Sequence, residues 1–280
     1  MIRIIYSFFS LVRFKNILIA ISCVLLSAHI LSIEDYFIIS LCILLVSSSM
    51  GFGNILNDII DYDNDKINHP NRVLPQHKIN LKTAYFFLYL CLLITIIGAI
   101  FISPMGRFSL LIIHLLLLLY NYFLKDMVLI GNLIIAMLLS TVLIFTEILL
   151  LQTYTRLLIP AFLAFGISLI REIIKDLEDI SGDKQTNRNT LPIYFGIKKS
   201  ILFTQLLIIL FNIFSFYLYF IYYNSILYLF SLIILVEIPL LLSLFLLINN
   251  PDKRTFRKIA KITKYITVSG LLVLFLANMR

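Results

Sequence analysis

The sequence predicts an all-α, polytopic membrane protein with nine transmembrane helices, and three observations carry that reading. Mean hydropathy is +1.00. Only 14% of the 280 residues are charged. Apolar runs long enough to cross a ~30 Å hydrocarbon core, which takes ~17–25 residues, recur along the whole chain. Backbone groups in lipid must be satisfied within their own segment, so helices are expected. No ten-residue alternation suggests a barrel.

The first run, 16–32, follows Arg13 and Lys15. "CVLLSAHILS" offers no small-x-small cleavage site, so this run reads as an uncleaved helix. Runs 36–57, 82–102, 108–124, 127–150, 156–174, 199–222 and 226–249 follow. The last, 262–279, is charge-free only from Tyr265. Lys261 and Lys264 can snorkel to the interface and let its helix begin earlier. Together these form one integral-membrane domain over 1–280, with cytoplasmic loops near 58–81 and 175–198.

Basic residues set the orientation. Arg3, Arg13, Lys15, Lys66, Arg72, Lys78, Lys82, Lys125, Arg171, Lys175, Lys184, Arg188, Lys198, Lys199, Lys253, Arg254, Arg257, Lys258, Lys261 and Lys264 fall on one side, 20 of the 23. Arg107, Arg156 and Arg280 fall on the other. The positive-inside rule then makes the protein a multi-pass cell-membrane protein with the N-terminus cytoplasmic and the C-terminus outside. The net charge of +8 reflects topology and attraction to anionic lipid, the run 252–264 included, rather than a nucleic-acid footprint. Cys23, Cys42 and Cys91 lie in apolar runs without ligand spacing and read as packing residues.

The fifteen acidic residues are concentrated in two places. "NDIIDYDNDK" holds Asp58, Asp61, Asp63 and Asp65, and "REIIKDLEDISGDK" holds Glu172, Asp176, Glu178, Asp179 and Asp183. Asp58, Asp61 and Asp65 are spaced i, i+3, i+7, as are Asp176, Asp179 and Asp183. On a helix those positions fall at about 0°, 300° and 340°, a single face. One turn back, Asn54 and Glu172 share it, whereas Asp63 and Glu178 point away. Solvated helix ends are the plain alternative. However, like charges ~6 Å apart repel by roughly 3 kcal/mol at an effective dielectric near 20. Anions at a helix C-terminus also oppose its dipole. Lys66, Lys175 and Lys184 can neutralise only part of six carboxylates.

A hard divalent ion suits such oxygen-rich rows, since Mg²⁺ is usually held by one or two carboxylates plus substrate phosphates. Arg72, Arg171, Lys175 and Lys184 flank the rows and suit phosphate oxygens. No Ser/His/Asp or Cys/His arrangement and no Gly-rich phosphate loop is present, and His29, His69, His77 and His114 are scattered. Two facing carboxylate rows with metal between them would receive a diphosphate.

Asn57-Asp58-x-x-Asp61-x-x-x-Asp65 matches the N-D-x-x-D-x-x-x-D motif of the UbiA superfamily of intramembrane prenyltransferases, which the chain resembles. "LVRFKN" (11–16) and "LLYNYFLKDMVLIGNLIIA" (118–136) resemble further family segments. "DKINHPNRVLP" and "REIIKDLEDISGDKQTNRNTLPIYFG" look most like the digeranylgeranylglyceryl phosphate synthase branch. That branch usually continues "RPIPSG" where this chain has Arg72-Val-Leu-Pro75-Gln-His77, so the loop lacks Ser-Gly.

The resemblance implies nine helices around a central cavity that opens to lipid. It implies transfer of a prenyl group from an allylic isoprenyl diphosphate to a lipophilic acceptor, a prenylglyceryl phosphate, with Mg²⁺ as cofactor. Asp58, Asp61 and Asp65 would hold one ion and Asp176, Asp179 and Asp183 another, as the catalytic carboxylates. Asn57, Arg72, Lys125 and Lys175 would grip diphosphate oxygens. Arg13, Asn16, Asn54, Arg171 and Lys184 complete the substrate-binding set. An aromatic acceptor of the quinone or chlorophyll type is the alternative within the superfamily. A cation or metabolite carrier is the alternative outside it, although carriers place ion sites near the bilayer midplane. Among the remaining polar residues, Glu147 reads as an interfacial carboxylate and His114 as a packed histidine. Glu237 is either functional or a protonated acid bonded to a neighbouring helix.

Overall fold

Helix starts are written into the sequence as capping residues, and a computed structural model shows them in place. It describes every residue except 1, 187, 250 and 280, and for 2–5 the backbone alone. The side chain of Arg3 and the whole of Arg280, both counted above for orientation, lie outside the described residues. The described chain is helical, in the order α1 (Ile2–Leu11), α2 (Phe14–Leu31), α3 (Tyr36–Ile60), α4 (Tyr62–Asn68), α5 (Leu81–Ala99), α6 (Pro104–Leu119), α7 (Ile130–Leu151), α8 (Leu158–Gln185), α9 (Leu191–Tyr194), α10 (Ile197–Leu218), α11 (Ile226–Leu232), α12 (Ile238–Ile248) and α13 (Lys253–Ala277). π-Helical turns over Tyr120–Leu124 and Tyr219–Tyr223 extend α6 and α10, and a third, Ile233–Glu237, joins α11 to α12.

Asp35 opens α3 by accepting from the backbone N–H of Phe37 and Ile38. Asn80 does the same for Thr83 at α5, Ser103 for Gly106 at α6 and Asp252 for Thr255 at α13. Each such cap satisfies an otherwise orphaned N–H and contributes about 1 kcal/mol. Pro104 sits just inside α6, where its missing N–H is not needed.

Among the described residues, eight helical spans are long and apolar enough to cross a membrane, by length and composition: 14–31, 36–60, 81–99, 104–124, 130–151, 197–223, 226–248 and 253–277. The ninth expected span is α8, 28 residues long, whose second half carries the charges of "REIIKDLEDISGDK". The protein is a multi-pass membrane protein. α13 starts at Lys253 rather than near 262, so Lys261 and Lys264 lie within it. The loops expected near 58–81 and 175–198 are shorter than predicted. Helix continues through α4 to Asn68 and through α8 to Gln185, because apolar residues fill the other face of each acidic row. Ile173, Ile174 and Leu177 are fully buried beside the second row, and Ile59, Ile60 and Tyr62 pack into a core beside the first.

The chain divides into two compact units, residues 1–125 with 141–157, and 126–140 with 158–280. In the first, α3 packs on α5 through small and polar side chains. Ser48 and Thr95 are hydrogen-bonded at 2.9 Å, and a Cβ placed on Gly98 would lie 2.7 Å from Leu45 Cδ2. Apolar attraction does not drive helices together in lipid, so close backbone approach and buried hydrogen bonds do. In the second unit, α8, α10, α11, α12 and α13 share a core that includes Ile170, Ile174, Ile208, Tyr228, Leu240 and Ile259. Outward residues such as Leu206, Leu210 and Ile213 on α10, or Leu241 and Phe245 on α12, are apolar and exposed, as a lipid-facing surface requires.

Glu147 is an organiser of the α7–α8 turn rather than a surface carboxylate. Fully buried, it accepts from the Thr153 hydroxyl and from the backbone N–H of Thr155, Arg156 and Leu157, at 2.8–3.0 Å. Glu237 accepts from Ser215 Oγ at 2.6 Å, and Tyr228 donates to the Ser215 carbonyl at 2.7 Å, so it bonds a neighbouring helix. His114 is within 3.0 Å of the Leu110 carbonyl through Nδ1 and lies against Phe52, a packed histidine. Glu147→Ala strands three backbone donors. It is expected to lower unfolding free energy by about 3 kcal/mol, read as a lower melting temperature in detergent.

Candidate functional site

The first acidic row lies where α3 passes into α4. Asp58 is in α3, Asp61 at the junction and Asp65 in α4. Helical hydrogen bonding carries across the junction, with Asp61 N–H bonded to the Asn57 carbonyl and Asp65 N–H to the Asp61 carbonyl, both at 2.8 Å. All three carboxylates are consequently on one buried face, 5%, 7% and 2% exposed. Asp63 points outward and pairs with Lys66 at 2.8 Å.

From the sequence, Lys66, Lys175 and Lys184 can offset only part of the charge of the two rows. The structure adds Arg13 and Lys125, which come from far along the chain, and Arg72 from the loop just after the row. Arg13 Nη2 donates to Asp58 Oδ1 at 2.6 Å. Arg72 Nη1 donates to both oxygens of Asp65, at 2.7 and 2.5 Å, and approaches Asp58 Oδ1 at 3.4 Å. Lys125 Nζ is ion-paired with Asp61 Oδ1, with side chains only 7% and 9% exposed. Three buried carboxylates meet three cations. Burial still lifts the Asp65 carboxyl above its ordinary range, with Arg72 opposing and Asp58 and Asp61 adding.

Each cation is held in place. Arg13 sits between α1 and α2 in the left-handed region (φ 54°, ψ 55°), uncommon for a residue with a side chain. Asn54 donates to the Val12 carbonyl at 3.0 Å, which anchors this break to α3. Asn57 receives Arg13 at 3.0 Å through Oδ1 and donates through Nδ2 to Asp61 Oδ2 at 2.8 Å and to Asn121 Oδ1 at 3.3 Å. Asn121 lies within the π turn, which closes with the Lys125 N–H on the Tyr120 carbonyl at 3.0 Å. That wider turn sets the direction of Lys125. Asn121 was not among the expected residues; only its place four residues before Lys125 in a quoted segment could have suggested it. Asn16 is half-buried in the first turn of α2.

The second row, on α8, is built differently. Glu172 is buried and accepts from Arg171 at 2.8 Å and Lys175 at 2.7 Å. Asp176 accepts from Asn132 Nδ2 at 2.8 Å. Asn132 belongs to the "GN" pair of the quoted family-like segment, yet spacing alone gave no reason to select it. Asp179 is half-buried, Asp183 is 3% exposed, and Lys184 is exposed. Glu178 points away and pairs with Arg257 of α13 at 2.8 Å. Burial, with Asp183 and Glu172 adding to it and the Asn132 hydrogen bond opposing, pushes the Asp176 carboxyl up to about 7. A carboxyl so raised is one that a nearby cation would stabilise in its charged form.

Among the described residues, no three His, Cys, Asp or Glu side chains converge as a metal-holding group. The donor chemistry of each row, carboxylate and amide oxygen without sulfur or imidazole, still fits a hard divalent ion that takes one or two protein carboxylates and completes its shell with phosphate and water.

Comparison with known proteins gives a consistent result. The UbiA prenyltransferase family matches residues 16–266. Digeranylgeranylglyceryl phosphate synthase of Methanosphaera stadtmanae is 38% identical over 274 residues, covering 96% of this chain and 97% of the relative. The Methanobrevibacter smithii enzyme of the same name is 33% identical, covering 95% and 94%. A solved structure of a digeranylgeranylglyceryl phosphate synthase superposes with a TM-score of 0.73 at 31% identity, over 99% of both chains. A UbiA homologue from Archaeoglobus fulgidus, bound to DMAPP and Mg²⁺, shares the fold with a TM-score of 0.66 at 14% identity, over 96% of this chain and 99% of that one.

Removing one partner of a buried ion pair leaves the other uncompensated. Lys125→Met is expected to destabilise the protein by about 3–5 kcal/mol, measured by thermal unfolding. Lys66→Gln, on the exposed pair, should leave the melting temperature unchanged.

Proposed function

Because the chain belongs to the UbiA prenyltransferase family, we propose that it transfers a prenyl group from an allylic diphosphate to the free hydroxyl of a prenylglyceryl phosphate. The observation that carries this is the first row, in which three buried carboxylates and three cations are held in one hydrogen-bonded network through Asn57. Relatives sharing up to 38% identity over nearly the full chain are named for the prenylglyceryl phosphate reaction, which supports that acceptor over an aromatic one.

Arg13, Arg72, Lys125 and Asn57 supply the donors for diphosphate oxygens, two of them as guanidinium forks suited to bidentate contact. The allylic C–O bond breaks with its electron pair leaving on the diphosphate. The acceptor oxygen then forms the ether bond and releases its proton. Divalent ions, Mg²⁺ in this proposal, would rest one on Asp58, Asp61 and Asp65 and another on Asp176, Asp179 and Asp183, and would supply charge neutralisation for a departing diphosphate. Asn57 and Asn132 orient the carboxylates through 2.8 Å hydrogen bonds, which limits the reorganisation needed when substrate arrives. Placing both rows on the cytoplasmic side, with the N-terminus, follows the distribution of Lys and Arg.

The test incubates the purified protein in bilayers with geranylgeranyl diphosphate and geranylgeranylglyceryl phosphate, and identifies lipid products by mass spectrometry. Mg²⁺-dependent formation of the doubly alkylated lipid is expected. Asp61→Asn or Asp179→Asn should reduce turnover by about a thousandfold or more, compared per folded protein by circular dichroism because Asp61→Asn also unpairs the buried Lys125. Product formed on an aromatic acceptor alone, or turnover retained in both variants, would overturn the assignment.

A further inference from the structure

The groups assigned to grip a diphosphate are the groups that already hold the carboxylates. Lys125 lies on Asp61, Arg72 on both oxygens of Asp65, and Arg13 on Asp58, each within the same buried network. Asp61 is fully engaged, one oxygen on Lys125 and the other on Asn57. A divalent ion approaching these oxygens meets ammonium and guanidinium groups of its own sign, and a buried location gives little water to screen them. A diphosphate offers those same cations a new set of anionic oxygens, and its arrival relieves the conflict.

From this geometry we infer that Arg13, Arg72 and Lys125 are exchangeable counter-ions that make metal binding and diphosphate binding depend on each other. The inference rests on the proposed reading of the first row as a divalent-cation site. Without diphosphate the three cations compete with the metal for the carboxylates; with it they move onto phosphate oxygens and the carboxylates are released to the metal. Linkage requires the effect to be mutual, so metal also raises the affinity for diphosphate. Lys125 is the strongest competitor, because both members of its pair are buried, whereas Arg13 and Arg72 are 28% and 26% exposed.

The test measures Mn²⁺ binding to the full chain in detergent by electron paramagnetic resonance, with no diphosphate present. Lys125→Met is expected to bind Mn²⁺ about tenfold more tightly than the unaltered protein. Arg72→Gln should show a smaller gain and serves if Lys125→Met does not fold. Lys125→Arg keeps the charge and should keep the weak affinity. Lys66→Gln, which removes a positive charge paired outside the row, should leave Mn²⁺ binding unchanged. Adding Asp61→Asn to Lys125→Met should abolish the gain, locating it on this row. Equal or weaker Mn²⁺ binding in both Lys125→Met and Arg72→Gln would overturn the exchange while leaving the metal site standing. If no variant binds Mn²⁺ even beside an unreactive thiolo-analogue of the donor, the metal-site reading itself fails, and the exchange falls with it.

Discussion

Charge matching inside an apolar bundle is the constraint on which the rest depends. Carboxylates that are 2–7% exposed cannot remain ionised in such surroundings without partners. Arg13, Arg72 and Lys125 supply them from three separate places in the chain. The fold of the first unit can be understood as the means of delivering those three side chains. A left-handed break brings in Arg13, the loop after α4 returns Arg72, and the turn ending α6 presents Lys125. Asn54 and Asn57 bind these arrivals to the helix that carries the aspartates.

The two acidic rows share their spacing but not their electrostatics. In the first, cations pair directly with the aspartates. In the second, Arg171 and Lys175 are drawn to Glu172, while Asp176 is met by the amide of Asn132. A neutral amide orients a carboxylate without cancelling its charge, and burial pushes the Asp176 carboxyl up to about 7. Identical sequence arithmetic therefore meets cations drawn from three parts of the chain at Asp58, Asp61 and Asp65, and an amide at Asp176.

Much of this was legible from local pattern. Apolar runs located the eight membrane-length spans among the described residues and the first half of α8, and the i, i+3, i+7 spacing placed Asp58, Asp61 and Asp65 on one face with Asp63 turned outward. What escaped sequence reading was everything decided by tertiary contact. Lys125 is 64 positions from Asp61 and Arg13 is 45 from Asp58, so no window could show that they neutralise the row. Asn121 and Asn132 are ordinary amides until a fold places carboxylate or amide partners beside them. Glu147 looked like an interfacial acid because its value lies in four donors from a loop that periodicity does not describe. The acidic helices ran on past their expected ends because hydropathy reads charge as loop, whereas Ile173, Ile174 and Leu177 keep one side of α8 packed.

The π turn over Tyr120–Leu124 has a consequence for how this chain tolerates change in length. A π turn holds one more residue than the α-helical turn it replaces, so it acts as an inserted spacer. Excising a single residue there would let the helix close regularly with the segment beyond it in nearly the same rotation, whereas closing all the present residues as α-helix would swing that segment by roughly 100° around the axis. The lysine that closes the turn would then face away from its aspartate, although no amino acid touching that aspartate had been altered. Gaps and insertions in this five-residue window are thus as informative as substitutions when relatives of this chain are sorted into those that keep the ion pair and those that have lost it.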